Sequence, residues 1–406
     1  MKKIIIALVS TVFIFQTIAA QNLIWTALAN PDSLQVNGVC FSMNNTQVLS
    51  GTNCHPAHIR LYNAMNGMQE WDYKVPDNLM CQMGVGFSSN GKYFASVEEM
   101  GNIILFDYTQ AVPDSILAIS MGTSYAFAIS FSPNSHKIVV GASNGKLQTY
   151  FSGTGMPDLN IPAHSSWVTA VAYSPDNLLI ASGGNDNLVK IWDTTGTLKH
   201  TLTGHTNDIC TVKFSADNTK LYSASHDKNI KIWDVVTGAL IHTISTGAAI
   251  NAMDITNDGK VLGIVSADKM IRLYNTNTYD CIDSFTQAHG VAALCIDFSS
   301  DNHYLVTGTN NGLVTNYDVS GVTSVENYSA KEEMHIYPNP FSEVLYIRSI
   351  HKFDVMELYD INGRKLMNIV LQNNSASIPD NIPSGFYTVK LYDNKGETGT
   401  FIVQRE

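Results

Sequence analysis

The chain has 406 residues, is 45% apolar and only 15% charged, and carries a formal charge of -11 at pH 7. That composition excludes a disordered chain, and the acidic balance excludes a duplex nucleic-acid partner, whose phosphates need a basic face. The length exceeds one ordinary core and suits one large repeat domain with a small one beside it.

Residues 1–20 read as a targeting segment. Lys2 and Lys3 give a positive start, 4–18 is a short apolar run, and Ala19 and Ala20 offer small residues for cleavage before Gln21. This is the layout of a secretory signal peptide. A membrane anchor is the alternative, but the run falls short of the roughly 20 apolar residues that span a bilayer. No later segment is long and apolar enough, so no transmembrane span is expected after cleavage. Six cysteines are scattered at irregular spacings, unlike the dense framework of a small stapled domain.

A strand-like stretch, 22–28 (NLIWTAL), comes next, and after it one unit repeats seven times. An apolar strand ends in an aromatic and a hydroxyl residue, as in Phe41-Ser42, Phe87-Ser88, Phe131-Ser132 and Tyr173-Ser174. An Asn/Asp/Gly/Pro turn follows, then a second strand, a tight turn, and a third strand with an aromatic. Those aromatics are Tyr62, Phe106, Tyr150, Trp192, Trp233, Tyr274 and Tyr317, spaced 41–44 residues apart. A polar fourth strand leads into the next unit. Four short strands per unit of about 40–45 residues, with turn residues at hairpin spacing, predict a β-propeller blade. The seventh unit stops after its third strand at Asp318. Residues 22–28 are therefore expected to supply its outer strand and cover a bare sheet edge.

The units resemble the WD40 family. Trp192-Asp193 and Trp233-Asp234 are the Trp-Asp pairs that name it, and Gly204-His205 matches its other signature. The resemblance implies an all-β fold, a seven-bladed WD40-type β-propeller over 21–319. It also implies a structural hydrogen-bond network of His, Ser, Asp and Trp. This maps onto His164, Ser182, Asp186 and Trp192, and onto His205, Ser223, Asp227 and Trp233. A partial set in blade seven is His289, Thr307, Asn311 and Tyr317. The same residues could suggest a Ser/His/Asp triad; their recurrence in register with the repeat favours struts, since a nucleophile would not recur.

The family register also places Gln35, Cys81, Tyr125, Trp167, Asp208, Ala249 and Ala292 at one mouth of the ring. Tyr125, Trp167, Asp208 and Gln35 are the candidate binding residues, because exposed aromatics beside a carboxylate anchor a peptide or a sugar face. Packing of Trp167 on the adjacent blade's loop is the alternative. The turn at 52–60 (TNCHPAHIR) is two residues longer than its counterparts in blades four and five. A Cys54–Cys81 disulfide is expected there over a Zn site built from Cys54, His55, His58 and Cys81, because exported thiols oxidise. No metal and no cofactor are assigned.

After Asp318 the repeat ends. Residues 320–332 are polar and read as a linker. From 333 to 406, Pro338 and Pro340 mark a bend into a strand, Asn362-Gly363 a hairpin turn, and 382–393 and 399–406 further strands. These predict a small β-sandwich-like domain. The stretch resembles the type A C-terminal sorting domain of the type IX secretion system. The resemblance rests on Tyr337-Pro338-Asn339-Pro340, on Leu358-Tyr359-Asp360 with Asn362-Gly363, and on Ser384-Gly385-Phe386-Tyr387. An ordinary carbohydrate-binding sandwich is the alternative. The resemblance implies a Bacteroidetes-type host, the type IX machinery as a partner, and delivery to the cell surface or the medium.

These expectations combine into an exported, monomeric, non-enzymatic scaffold that binds a protein or a glycan. Two other readings stay open. One is a propeller hydrolase or lyase using His55, His58 and Asp208 at the channel mouth. The other is a structural part of an envelope or motility apparatus. No nucleophile elbow, paired-acid motif or phosphate loop supports the enzyme.

Overall fold

A computed structural model describes residues 22–29, 35–53, 57–75, 82–110, 112–122 and 124–323. In the C-terminal part it describes 335–337, 344–348, 354–360, 363–371, 375–379, 381–393 and 396–405. The signal segment 1–20, Cys54, His55, Cys81, Pro338, Asn339, Pro340 and Asn362 lie outside the described residues. The chain divides into two compact units, Met1–Val325 and Glu326–Glu406.

In the first unit the strands form seven four-stranded antiparallel sheets, the blades. They span 35–74, 82–120, 126–162, 168–202, 209–245, 250–286 and 293–318. The last is completed by Asn22–Leu28, which pairs antiparallel with Leu313–Asp318, Asn22 opposite Asp318 and Leu28 opposite Leu313. Each inner strand packs on the inner strands of both neighbours, and the seventh packs on the first, so the sheets close into a ring. This packing explains the sequence pattern. Second strands such as Leu179–Gly184 are covered on both faces by neighbouring blades and read as nearly continuous buried runs. Outer strands such as Gln69–Lys74 are largely exposed, which accounts for their polarity. All seven marker aromatics are buried.

The first turn of every blade uses one device. A Ser or Thr hydroxyl, from Ser42 to Ser299, donates to the Asn or Asp side chain two residues on, at 2.5–2.9 Å. The same oxygen accepts the N–H five residues on at 2.8–3.0 Å. The turn is thus set by side chains of the turn itself. Residues in the left-handed region of these turns then hook the preceding blade: Asn45 accepts from Ser300, Asn218 from Asp176 and Asn302 from Asn257.

Blades approach so closely that some second-strand positions admit no side chain. A Cβ on Gly183 would lie 2.4 Å from Ile209 Cγ2 of blade five. Gly183→Ala is expected to cost about 1–3 kcal/mol through overpacking, read as a lowered urea midpoint.

The sequence boundary at 319/320 shifts. Ser320–Thr323 is a turn of helix, with Val322 and Thr323 buried. Val319 and Val322 join the cluster of blades six and seven, and the Thr323 hydroxyl bonds to the Asn302 carbonyl. These residues cap the last blade; they do not belong to the linker. The second unit holds a three-stranded and a four-stranded sheet around one core of Met356, Leu358, Ala376, Ile378, Val389, Leu391 and Val403. Its hairpin closes at Gly363 (φ 78°), whose N–H donates to the Asp360 carbonyl at 3.0 Å. Among the described residues, no helix is long and apolar enough to cross a membrane.

Candidate binding surface

Every inner strand carries one extra residue near its start, where the register to the second strand slips. The seven bulged residues are Asn37, Met83, Phe127, Thr169, Cys210, Asn251 and Leu294. A bulge re-aims its side chain, and all seven line a central channel of about 570 Å3. Several reach the next blade. Thr169 Oγ1 donates to the Ile209 carbonyl at 2.6 Å, and Asn251 Nδ2 to the Ala293 carbonyl at 2.7 Å.

Phe127 also leans across a junction, here onto the mouth. Its ring stacks on Trp167 with centroids 4.9 Å apart and planes at 21°, and it meets Tyr125 edge-on at 6.4 Å. Trp167 remains 44% exposed and Tyr125 39%. The two predicted aromatics are therefore joined by a third that sequence reasoning missed. Backbone bonds place their blades in one register: Ser143 N–H to Tyr125 C=O, Asn185 N–H to Trp167 C=O, and His226 N–H to Asp208 C=O. Asp208 and His226 form an exposed pair at 3.3 Å on blade five. Gln35 stands on blade one, where its amide oxygen accepts from Asn53 at 3.0 Å. His58 is drawn to Asp72 of its own outer strand at 2.6 Å, so His58 and Asp208 are each committed to a different partner.

A charged row runs through three successive blades, and its outer members, Lys213 and Asp297, line the channel. Lys213 Nζ lies 2.7 Å from Asp254 Oδ1. Asp254 Oδ2 accepts the Phe298 N–H and Asp297 Oδ2 the Phe41 N–H, both at 2.8 Å. Burial, with Asp254 nearby, holds the Asp297 carboxyl well above the usual range despite Lys213. Burial alone would lower Lys213, but the two carboxylates outweigh it and raise it. The row staples blade five to six, six to seven, and seven to one.

The structural networks of blades four and five are complete. His164 Nδ1 meets Asp186 and its Nε2 meets Ser182, both at 2.8 Å, and Trp192 Nε1 donates to Ser182 Oγ at 2.9 Å. His205, Asp227, Ser223 and Trp233 repeat these distances. Ser182 and Ser223 are fully buried. Blade seven differs from the expected set. Gln287, not His289, occupies the strut, donating from Nε2 to Thr307 Oγ1 at 2.9 Å. His289 (φ 63°) is turned away, with Nε2 3.3 Å from Thr26. Asn311 pairs with Thr309 instead. Among the described residues, no three His, Cys, Asp or Glu side chains converge as a metal site requires. Cys40, Cys210, Cys281 and Cys295 are free thiols.

Comparison with known proteins matches the WD domain, G-beta repeat, at residues 155–193, 196–234 and 279–318. The secretion system C-terminal sorting domain matches at 335–404. The chain is 35% identical over 74 residues to human WD repeat-containing protein 3, covering 18% of this chain and 8% of that protein. It is 26% identical over 157 residues to the LEC14B homolog of Prunus armeniaca, covering 34% and 32%. With apoptotic protease-activating factor 1 of Danio rerio it shares 24% identity over 174 residues, covering 39% and 13%. The chain thus spans a third or less of the length of these relatives.

Proposed function

Because the chain carries WD40 repeats closed into a seven-bladed ring and ends in a type IX secretion sorting domain, we propose that it is an exported, non-enzymatic scaffold that grips a protein partner at the mouth of blades three to five. The sorting domain indicates export to the cell surface or the medium, with the type IX machinery as its partner on the way.

One observation carries the choice of surface. The Tyr125–Phe127–Trp167 stack holds two large aromatic faces open to solvent, with Asp208 exposed on the next blade. Leaving such faces wet is unfavourable unless a partner covers them, and a rigid Trp or Tyr costs little entropy when it docks. The non-enzymatic reading draws support from the two Ser-His-Asp sets. Each serine is sealed inside a blade, its oxygen already engaged by an indole N–H.

Trp167→Ala is expected to leave stability within about 1 kcal/mol, since nearly half of the side chain is exposed. Surface proteins captured by the parent should be lost from the variant, by about 2 kcal/mol or more of binding energy for a central anchor. Undiminished capture of the same proteins by the variant would discard this surface.

A further inference from the structure

Blades one and two also meet at a pocket of about 460 Å3 that shares no lining residue with the channel. Its walls come from the first turn and outer strands of blade one and from the segment after the third strand of blade two. These elements lie at the end of the ring opposite the mouth. The volume falls in the range of small-molecule sites.

The pocket is built around one indole. Trp71 is half-buried, its ring held edge-on by Phe94 at 5.7 Å and Phe106 at 5.5 Å, with Tyr73 stacked beside it at 6.0 Å. Polar groups around it are oriented in advance. The Gln47 amide donates to Glu70 and accepts from the Tyr108 hydroxyl. Asn63 Nδ2 donates to the other Glu70 oxygen at 3.0 Å. Asn44 and Gln110 complete the rim.

We propose that this pocket binds a neutral saccharide. A pyranose ring presents an apolar C–H face and a rim of hydroxyls that both donate and accept. The pocket presents the complement: a fixed aromatic, with amides, a phenol and a carboxylate around it. An anionic ligand would meet Glu70 with no Lys, Arg or His among the lining residues. A purely aliphatic ligand would cover the Glu70 carboxylate and strip its water without replacing it. Prepaid orientation of Gln47 and Glu70 lowers the entropy cost of binding. This site stands apart from the aromatic mouth and does not depend on it.

The test uses the full chain and ligand-observed saturation-transfer NMR with maltotriose, cellotriose and the N-acetylglucosamine trimer at millimolar concentration, with trilysine as the cationic competitor. At least one sugar should show transfer. Glu70→Ala, at an exposed position, and Trp71→Phe, which keeps an aromatic against Phe94 and Phe106, should each weaken it about tenfold. Trp167→Ala should bind the sugar as the parent does, which separates this site from the protein-binding mouth. Transfer to none of the sugars, transfer to trilysine alone, parent-like sugar binding in Glu70→Ala and Trp71→Phe, or loss in Trp167→Ala would each overturn the proposal.

Discussion

Trp25→Ala should destabilise the ring by about 3–5 kcal/mol, the range for emptying a buried aromatic site. Trp25 is 7% exposed and packs with Val36, Val48, Tyr62, Ala64 and Val314. Its ring centroid lies 6.1 Å from that of Tyr62 in blade one. Its indole N–H donates to the Ala64 carbonyl at 2.7 Å, and Asn316 of the last blade donates to the same oxygen at 3.0 Å. One side chain therefore fastens the closing strand both to its own sheet and to the first blade. The chain at Gly67 (φ 71°) folds directly over the indole, where a Cβ would come within 2.7 Å of the ring. Loosening Asn22–Leu28 also bares the hydrogen-bonding edge of Leu313–Asp318, a template for pairing with another copy. The variant should show both a lower urea midpoint and concentration-dependent self-association in sedimentation. Leu23→Ala, on the same strand but 49% exposed, should change stability by no more than about 0.5 kcal/mol. A Trp25→Ala protein that melts like its parent would mean the seam is not closed by this strand.

The second large effect belongs to the internal struts. Ser223 accepts the Trp233 indole N–H while its own hydroxyl proton goes to His205 Nε2, and His205 Nδ1–H donates to Asp227. That proton order suits a neutral imidazole and satisfies every group. Ser223→Ala leaves a buried indole N–H and a buried imidazole nitrogen without partners, costing about 1–3 kcal/mol for each. The same chain makes a pH prediction. Burial lowers the affinity of His205 and His164 for a proton, with the neighbouring aspartates only partly opposing it. Burial raises Asp227 and Asp186, but the hydrogen bonds they accept more than offset this and hold them below their ordinary value.

Both kinds of group have folded pKa values below their unfolded ones, so both stabilise the fold when deprotonated and withdraw that stability on acidification. The histidine part is complete above its ordinary value of 6.5 and fades as pH falls below it. The aspartate part fades below 3.8. Urea midpoints measured from pH 7.5 to 5 should fall with pH. His164→Gln combined with His205→Gln should flatten that slope, since Gln287 already fills the equivalent strut in blade seven without a titrating group. An unchanged slope in the double variant would place the titrating groups elsewhere.

The blade pattern was legible because it is periodic. The seven marker aromatics, the hydroxyl turns and the paired networks each recur in register, and repetition separates a structural residue from a coincidence. What escaped has no local signature. Phe127 faces Trp167 through a bulge, and an extra residue in a strand leaves no trace in composition. Lys213, Asp254 and Asp297 stand 41 and 43 residues apart and each reads as a stray charge in an apolar strand. Only ring closure makes them neighbours. The family resemblance places His289 in the strut of blade seven, but the chain turns at Ala288–Gly290 and leaves Gln287, two residues earlier, in the buried place.

The pairing of Asn22–Leu28 with Leu313–Asp318 also has a consequence in time. In a chain made from its N-terminus, Asn22–Leu28 waits for a partner about 290 residues further on. Six blades can assemble from neighbouring hairpins, but the seventh is complete only when both ends of the ring are present. Closure is therefore expected to be the last step of folding, since it joins the most distant segments of the ring.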